Sequence, residues 1–289
     1  MADKPPIVLT IAGFDPSSGA GVTADIKTIA AHACYGVACI TAMTVQSTAG
    51  VKRVEAMDPG LVTQTLEELA EDFAISSVHI GMLGTAKVVR AVADFLGKPS
   101  GSRPASQKNR LPNIVLDPIL RSSSGAELLD SAGTRLLIER LIPLADVVTP
   151  NVDEAAVITG LQIKDMDDMR TASAKLHEMG AASCVITGGH MDKAIDLLSF
   201  TTKHGVEQEF FKAERQRSNS THGTGCAFAT AMACHLALDR GLAEAALLAK
   251  TYVTAAISYG QEIGRGVGPV HHLYRMGQQR RVAGSGGES

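Results

Sequence analysis

A glycine-rich segment late in the chain carries the sharpest chemical signal. It reads Asn-Ser-Thr-His-Gly-Thr-Gly-Cys over 219–226 and leads into an Ala-rich stretch at 227–238. At a helix start the first backbone N–H groups have no intrahelical partner, and Gly223, Thr224 and Gly225 let a ligand approach them closely. Such a terminus carries roughly half a positive charge, which suits an anion or a transferring phosphoryl group. The alternative is an ordinary glycine-rich turn before a buried helix.

Cys226 falls in the first turn of that predicted helix. A free thiol has a pKa near ~8.5 and a helix N-terminus lowers it, so the position predicts a substantial thiolate fraction at neutral pH. Three roles are open: a buried structural cysteine, an acyl-transfer nucleophile with His190 or His222 as base, or a general base for an alcohol. No motif places an Asp or Asn to orient either histidine, which favours the general base.

Oxygen ligands follow two predicted strands in the middle of the chain. Asn151 and Glu154 come just after Thr-Pro and stand about one helical turn apart. The pair suits Mg²⁺, which takes one or two protein oxygens and leaves the rest to water and phosphate. The same spacing fits a capping box at a helix start equally well. Asp117, before a proline, is either a carboxylate on the metal or phosphate side or a turn residue.

The elements that must position these residues alternate along the chain. Short β-branched runs predict strands at 7–11, 37–41, 78–80, 114–116, 146–149 and 184–187. Ala-rich stretches predict helices near 21–32, 60–73, 85–96, 130–141, 152–159, 166–179, 225–239 and 242–260. This alternation predicts an α/β fold with a mainly parallel sheet covered on both faces. Two later runs, 196–200 and 209–212, flank a turn and predict an antiparallel hairpin appended to the sheet.

Glycine or polar residues follow almost every predicted strand. In order these are Gly13 with Asp15, Gln46, Gly81 with Met82, Asp117, Asn151, and Thr187 with Gly188 and Gly189. Ligands of an open parallel sheet bind beyond the carboxyl ends of its strands. The sequence therefore predicts one site at that edge.

Composition and motifs exclude several classes of protein. The 289 residues carry a net charge of -3, and the basic residues form no long run, which disfavours nucleic-acid binding. No apolar stretch reaches about 18 residues, and no signal peptide is apparent, so we expect no membrane segment. Five cysteines without a CxxC pair indicate a reduced, cytoplasmic protein. The Walker and dinucleotide-binding glycine motifs are both missing.

Two segments stand outside the alternating pattern. Residues 97–113 are rich in Ser, Pro and basic residues and predict an exposed loop, and 283–289 predict a disordered tail. We expect a single domain over 1–282.

The motifs together resemble the bacterial hydroxymethylpyrimidine/phosphomethylpyrimidine kinases of thiamine biosynthesis, in the ribokinase-like superfamily. The matching segments are collinear and include Ile-Ala-Gly-Phe-Asp-Pro-Ser-Ser-Gly-Ala-Gly at 11–21, Val-Gln-Ser-Thr at 45–48, Ile-Gly-Met-Leu at 80–83, Val-Leu-Asp-Pro at 115–118, Thr-His-Gly-Thr-Gly-Cys at 221–226 and Gly-Pro-Val-His-His at 268–272. The resemblance implies a three-layer α/β/α fold, a homodimer, and ATP- and Mg²⁺-dependent phosphorylation of 4-amino-5-hydroxymethyl-2-methylpyrimidine and then of its monophosphate.

The resemblance also implies roles for individual residues. The implied pyrimidine pocket consists of Gly13, Asp25, Gln46 and Met82. An amide such as Gln46 can accept from the exocyclic amine and donate to the adjacent ring nitrogen, as amides do when they read adenine. The implied anion hole is Gly223, Thr224 and Gly225, with Cys226 as the base. The implied nucleotide side is Asp117, Asn151, Thr187 and Gly189, with Glu154 acting through Mg²⁺.

The chain departs from the family pattern at three places. Thr187 stands where many members have Lys, which removes a charged contact to phosphate; Phe14 replaces a residue that is often small or polar, and the 97–113 loop is longer than usual. Three other functions remain open. They are a pyridoxal kinase or one of mixed specificity, a non-catalytic nucleotide or pyrimidine sensor, and a cysteine acyltransferase.

Overall fold

One nine-stranded sheet is the framework of the protein. The computed structural model describes residues 4–98, 110–122, 124–189, 194–214, 216 and 218–276. The strands are β1 (Ile7–Phe14), β2 (Tyr35–Ser47), β3 (Gly50–Ala56), β4 (Ile75–Ile80), β5 (Ile114–Leu116), β6 (Val147–Val148), β7 (Ser183–Ile186), β8 (Ala194–Thr202) and β9 (Gly205–Ala213). Their order across the sheet is β3-β2-β1-β4-β5-β6-β7-β8-β9.

The strands from β2 through β1 and β4 to β7 are parallel, while β3 pairs antiparallel with β2 at one edge. At the other edge β8 pairs antiparallel with β7 and with β9, so the predicted hairpin is confirmed. Strand β3 was not predicted from the sequence, because its side chains are exposed or half-buried and include charged residues. Strand β2 is also longer than predicted because its second half pairs with β3, and Gln46 lies within it.

Eight α-helices connect the strands within the described ranges. They are α1 (Gly21–Ala31), α2 (Pro59–Asp72), α3 (Ala86–Leu96), α4 (Ser131–Leu136), α5 (Val152–Thr159), α6 (Met166–Glu178), α7 (Thr224–Ala237) and α8 (Leu242–Ser258). Helix α4 continues as a π-helical turn, Leu137–Leu141, and a 3₁₀ turn, Ile142–Leu144. Each predicted helix is present with ends shifted by a few residues.

Two separate hydrophobic cores lie on the two faces of the sheet. In β1 the side chains of Leu9 and Ile11 enter the core with α2 to α6, and Val8 enters the other core with α1, α7 and α8. Successive strand residues point to opposite faces, so a strand buried on both sides needs apolar residues throughout. The predicted three-layer α/β/α architecture is confirmed.

Helix α7 is central to the second layer and is buried along almost its whole length. It contacts α1, α8 and the strands β1, β4 and β5. Its sequence is rich in Ala, and small side chains allow this close approach to several neighbours. The packing fixes the N-terminus of α7 beside the carboxyl ends of the central strands.

Two predictions fall largely or wholly outside the described residues. The tail at 283–289 lies outside them entirely, and only the two ends of the 97–113 loop lie within them. Among the helices of the described ranges, none has the length and hydropathy required to cross a membrane.

Candidate active site

A cavity of about 810 Å³ opens at the carboxyl-end edge of the sheet. Most of the predicted site residues line it: Gly13, Gln46, Met82, Asp117, Asn151, Glu154, Gly223, Thr224, Gly225 and Cys226. These residues come from distant parts of the chain and meet only because parallel strands end at one edge. The predicted Asp25, Thr187 and Gly189 are not among the lining residues.

The N-terminus of α7 forms one wall of the cavity. Gly223 is the N-cap, with φ of 83°, and it has no side chain to cap the helix. A Cβ atom there would lie 1.8 Å from the carbonyl oxygen of Gly19, so only glycine fits. The Thr224 N–H faces the Thr221 carbonyl oxygen at 3.4 Å, so the N–H groups that follow it are the ones left to a ligand. The helix dipole favours an anion at that point.

Cys226 lines the cavity from the first turn of α7 and is 8% exposed. Burial raises the pKa of its thiol well above the ordinary value, and the nearby Asp117 and Asp25 carboxyl groups raise it further. An N–H hydrogen bond from Gly21 opposes this shift but does not outweigh it. The expectation of a substantial thiolate fraction is wrong for the ligand-free cavity, because burial, and after it the charges of Asp117 and Asp25, disfavour the thiolate more than the helix start favours it.

Asp117 and Glu154 place two carboxyl groups at the cavity. Asp117 is buried, and its Oδ2 atom has no hydrogen-bond partner among the described residues. Burial and the Glu154 charge raise the pKa of Asp117 well above normal, and burial raises the pKa of Glu154 to about 7. The unpartnered Asp117 Oδ2 atom and the half-buried Glu154 carboxylate, which both line the cavity, are oxygen donors of the kind that fits Mg²⁺. No group of three or more His, Cys, Asp or Glu side chains that could hold a metal ion occurs among the residues that the structure describes.

Asn151 has a structural role at the start of α5. Its Oδ1 atom accepts from the backbone N–H groups of Asp153 and Glu154, each at 2.9 Å. Glu154 Oε2 in turn accepts from the Asn151 N–H at 3.0 Å. The capping-box alternative is therefore confirmed. The Glu154 carboxylate also accepts a hydrogen bond from the Leu120 backbone N–H.

The other side of the cavity is built by β1, β2 and the segment after β4. A Cβ atom on Gly13 would come within 2.9 Å of the Met82 Sδ atom, so the glycine makes room for this thioether. The Gln46 carboxamide lies between Thr44 and His222. A polarisable apolar side chain and an amide together suit a flat heteroaromatic ring.

Asp25 lies beneath the cavity and not at its wall. It is completely buried, and its two oxygens accept hydrogen bonds from the Thr10 and Thr230 hydroxyls at 2.7 and 2.8 Å. The His79 ring lies 3.4 Å from the same carboxylate. With its oxygens committed to these groups, Asp25 acts on the cavity through its charge.

Thr187 and Gly189 lie beside the cavity without lining it. The Thr187 N–H donates to Pro150 O at 2.9 Å, and its carbonyl accepts from Val152, so the backbone joins β7 to the start of α5. Gly189 is exposed, and a Cβ atom there would meet nothing within 4 Å. Their predicted contact with the nucleotide stays a prediction.

Asp15 and His222 also line the cavity. The sequence placed Asp15 at this edge and His222 as the base of the acyltransferase alternative, and it assigned neither residue a role in the kinase site. Asp15 accepts from the N–H and hydroxyl of Ser17 at 2.8 and 2.6 Å and from the N–H of Ala20 at 3.0 Å. Its Oδ2 atom lies 2.8 Å from His222 Nε2. Burial opposes ionisation, but hydrogen bonds from His222 and Ser17 lower the pKa of Asp15 below normal. The Asp-Pro-Ser-Ser turn after β1 was the available sequence signal.

The sequence of this chain matches the phosphomethylpyrimidine kinase family over residues 15–271. The chain belongs to this family. A phosphomethylpyrimidine kinase is a phosphotransferase, and the resemblance seen in the sequence is thereby confirmed. The cavity holds a helix N-terminus and carboxyl groups, and features of this kind can stabilise the charge of a phosphoryl group in transfer.

Individual relatives extend over almost the whole chain. It is 38% identical over 275 residues to the hydroxymethylpyrimidine/phosphomethylpyrimidine kinase of Streptomyces coelicolor, covering 95% of this chain and 97% of that one. It is 39% identical over 268 residues to the thiamine biosynthesis bifunctional protein of Geobacter sulfurreducens, covering 92% of this chain and about half (52%) of that protein.

A pyridoxal kinase has a similar structure. The Bacillus subtilis pyridoxal kinase, solved as an ADP complex, superposes with a TM-score of 0.81 at 31% identity, covering 94% of this chain and 100% of that one. The phosphomethylpyrimidine kinase fold thus also occurs with a different ring substrate.

Proposed function

We propose that this kinase transfers the γ-phosphoryl group of ATP to the hydroxymethyl group of 4-amino-5-hydroxymethyl-2-methylpyrimidine, and then phosphorylates the monophosphate. One observation supports this above all others. An amide suited to an aminopyrimidine, a thiol, two carboxyl groups and an uncapped helix N-terminus line a single cavity. The close relatives named for both reactions agree with it.

The helix start has the electrostatic role. The N–H groups that follow Gly223 stabilise the negative charge on the phosphoryl group as it moves between oxygens. Asp117 and Glu154 would hold Mg²⁺, which when bound offsets phosphate charge. Neutralising these two carboxylates also removes part of the charge that keeps the Cys226 thiol protonated.

Cys226 is the proposed general base. As the hydroxymethyl oxygen bonds to the γ-phosphorus, its proton passes to the Cys226 thiolate and ADP leaves. The thiolate is accessible only when the negative charge around it is offset, so the base becomes active when the nucleotide and its cation are in place. This coupling suppresses reaction in the empty cavity.

Gln46 and Met82 are the proposed ring contacts. The carboxamide of Gln46 pairs with the amine and ring nitrogen of the pyrimidine, and the Met82 thioether packs on the ring face. The hydroxymethyl arm then extends towards Cys226.

Pyridoxal kinase activity is the second candidate. Its support is the B. subtilis pyridoxal kinase, which shares the fold at 31% identity and also acts on a six-membered ring that bears a hydroxymethyl arm. A dual-specificity enzyme would phosphorylate both rings.

ADP release in a coupled assay tests these functions. We expect ADP release with the pyrimidine and with its monophosphate, with a kcat/KM at least tenfold above that for pyridoxal. A higher kcat/KM for pyridoxal would reverse the assignment. ATP binding without ADP release on either ring would favour a sensor, and a covalent acyl adduct on Cys226 would favour an acyltransferase.

We further propose that the enzyme acts as a homodimer, as the family resemblance implies. Sedimentation equilibrium at micromolar concentration should give twice the 30.2 kDa chain mass. A monomer mass under these conditions would contradict the proposal.

A further inference from the structure

The hydrogen on the His222 ring is fixed by Asp15. The Asp15 carboxylate already accepts from Ser17 and Ala20, and an ionised carboxylate can only accept hydrogen bonds. His222 Nε2, 2.8 Å from Asp15 Oδ2, must therefore carry a hydrogen and donate it. This holds for the neutral and the protonated ring alike, because Nε2–H is present in both.

This hydrogen bond has a consequence for Gln46. In the structure the Gln46 Nε2 atom lies 3.3 Å from His222 Nε2 and the Gln46 Oε1 atom lies on the Thr44 side, but the hydrogen bonds of His222 require the carboxamide to be turned over. An NH₂ group at that end would face another donor, whereas the carbonyl oxygen would accept a share of the Nε2–H. The two ends of a carboxamide have the same shape, so the hydrogen bonds decide its orientation.

Thr44 requires the same orientation from the opposite side. Its hydroxyl has one hydrogen and donates it to Phe14 O at 3.0 Å. The same hydroxyl lies 3.1 Å from Gln46 Oε1, to which it cannot also donate its one hydrogen. With the carboxamide turned over, the hydroxyl oxygen is an acceptor that faces the amide NH₂ group. The amide NH₂ satisfies it. In the row Asp15, His222, Gln46 and Thr44 no two donors then face each other, and one N–H of Gln46 is left for a ligand.

His222 is held rigidly enough to impose this order. Its backbone N–H donates to Gly268 O at 3.0 Å, and its carbonyl accepts from Val270 at 3.2 Å. The ring packs on Gly19, where a Cβ atom would lie 2.3 Å from the His222 Cδ2 atom. The ring is therefore confined by the turn after β1, by the C-terminal segment and by Asp15.

We propose that His222, held by Asp15, is a positioning residue that fixes the orientation of the Gln46 carboxamide and thereby selects the ring substrate. The remaining N–H of Gln46 lies on the Thr44 side and the remaining lone pair on the His222 side. The ligand class that fits is a heteroaromatic alcohol with a ring-nitrogen acceptor next to an exocyclic amine donor, in one orientation only. This inference rests on the proposed function for the role of Gln46.

A double-mutant cycle tests the inference. His222→Leu removes the N–H donor, and His222→Gln retains one as the matched control. We expect His222→Leu to raise the KM for 4-amino-5-hydroxymethyl-2-methylpyrimidine about tenfold, the cost of losing one hydrogen bond of about 1.4 kcal/mol, with the KM for ATP within twofold. His222→Gln should recover most of the loss. In a Gln46→Ala background, His222→Leu should change the KM less than twofold, because the residue acts through the amide.

Thr44→Val, with Thr44→Ser as its control, tests the same row from the other side and should also raise only the pyrimidine KM.

Calorimetric binding of the pyrimidine to the wild-type protein separates the two proposals. Binding without turnover overturns the proposed function alone, and absence of binding overturns both. Additive effects of His222→Leu and Gln46→Ala, or an equal rise in the KM for ATP, overturn the positioning role.

Discussion

At the residue scale, the reactivity of Cys226 depends on the charges that it faces. The position at a helix N-terminus favours a thiolate, yet burial and the Asp117 and Asp25 charges keep the pKa of the thiol high. Burial and the full charges of nearby carboxyl groups raise the pKa of the thiol by more than the partial charge at the helix end lowers it. The state of this residue therefore depends on what the cavity binds.

We predict that Cys226→Ala lowers kcat at least a hundredfold and changes the KM for the pyrimidine less than threefold. A general base contributes about 10²–10⁴-fold in the transition state and little to substrate binding. Steady-state kinetics with both substrates measure the change. Cys39→Ala, a buried cysteine outside the cavity, is the control and should keep wild-type kinetics. Near-normal kcat in Cys226→Ala would rule out the base.

Glu154 should reduce stability at high pH. Its pKa is raised by burial to about 7 in the folded protein, from about 4.5. Between these values the folded state binds the proton more tightly, so the carboxyl group costs stability above pH 7 and the cost disappears towards pH 4.5.

We predict that Glu154→Gln is more stable than wild type at pH 8, on the order of 2 kcal/mol, and that the difference vanishes near pH 4.5. Urea unfolding at a series of pH values measures it. The same variant should bind Mg²⁺ more weakly in the presence of ATP. A stability difference that is independent of pH would contradict the raised pKa.

At the scale of elements, the N-terminus of α7 is set by backbone geometry at one glycine. Gly223 has φ of 83° and touches the Gly19 carbonyl, so the turn after β1 and the start of α7 fit together only without a Cβ atom. The anion-binding end of the helix and the Asp15 turn are thus one packed unit.

We predict that Gly223→Ala lowers kcat/KM at least a hundredfold and lowers the melting temperature by several degrees. The clash with Gly19 must displace the helix start, and the left-handed backbone adds about 1 kcal/mol of strain. Gly160→Ala is the matched control: φ is 72°, and its Cβ would meet nothing within 4 Å. Gly160→Ala should lose only the stability that the left-handed backbone of an alanine costs, and it should keep full activity. Equal losses in both variants would show that packing at Gly223 is unimportant.

At the scale of the whole molecule, buried histidines join three separate segments on one face of the sheet. His32 ends α1, His235 lies in α7, and His272 lies in the C-terminal segment. The rings of His32 and His235 are 4.9 Å apart. The Nε2 atoms of all three have no hydrogen-bond partner among the described residues. Burial lowers the pKa of His32, and it lowers those of His235 and His272 to about 4.

We predict that stability falls as the pH drops from 6.5 towards 4. In this window the histidines bind protons in the unfolded state but stay neutral in the folded state. The free energy of unfolding therefore falls by up to about 1.4 kcal/mol per pH unit for each histidine. Urea unfolding should show a shallower slope in His235→Leu than in wild type. His204→Gln, at the exposed β8–β9 turn, is the control and should keep the wild-type slope. An unchanged slope in His235→Leu would contradict the prediction.

Local patterns in the sequence predict the architecture and most of the residues that line the cavity. Strand and helix identity follow from local periodicity and composition, and glycine or polar residues after each strand marked the edge where ligands bind. These signals are local, so they can be read from the sequence without knowledge of the packing. The edge strand β3 was not predicted, because its exposed and partly charged residues lack the apolar run of the other strands.

The environments of the individual side chains follow instead from contacts that the folded chain creates. Asp25 is held away from the cavity wall by hydrogen bonds from the Thr10 and Thr230 hydroxyls, and Asn151 caps the start of α5. Asp15 and His222 stand 207 residues apart, and neither carries a signal for the other. Hydrogen bonds and pKa shifts depend on distances of a few ångströms between remote segments, and such distances are fixed by packing alone.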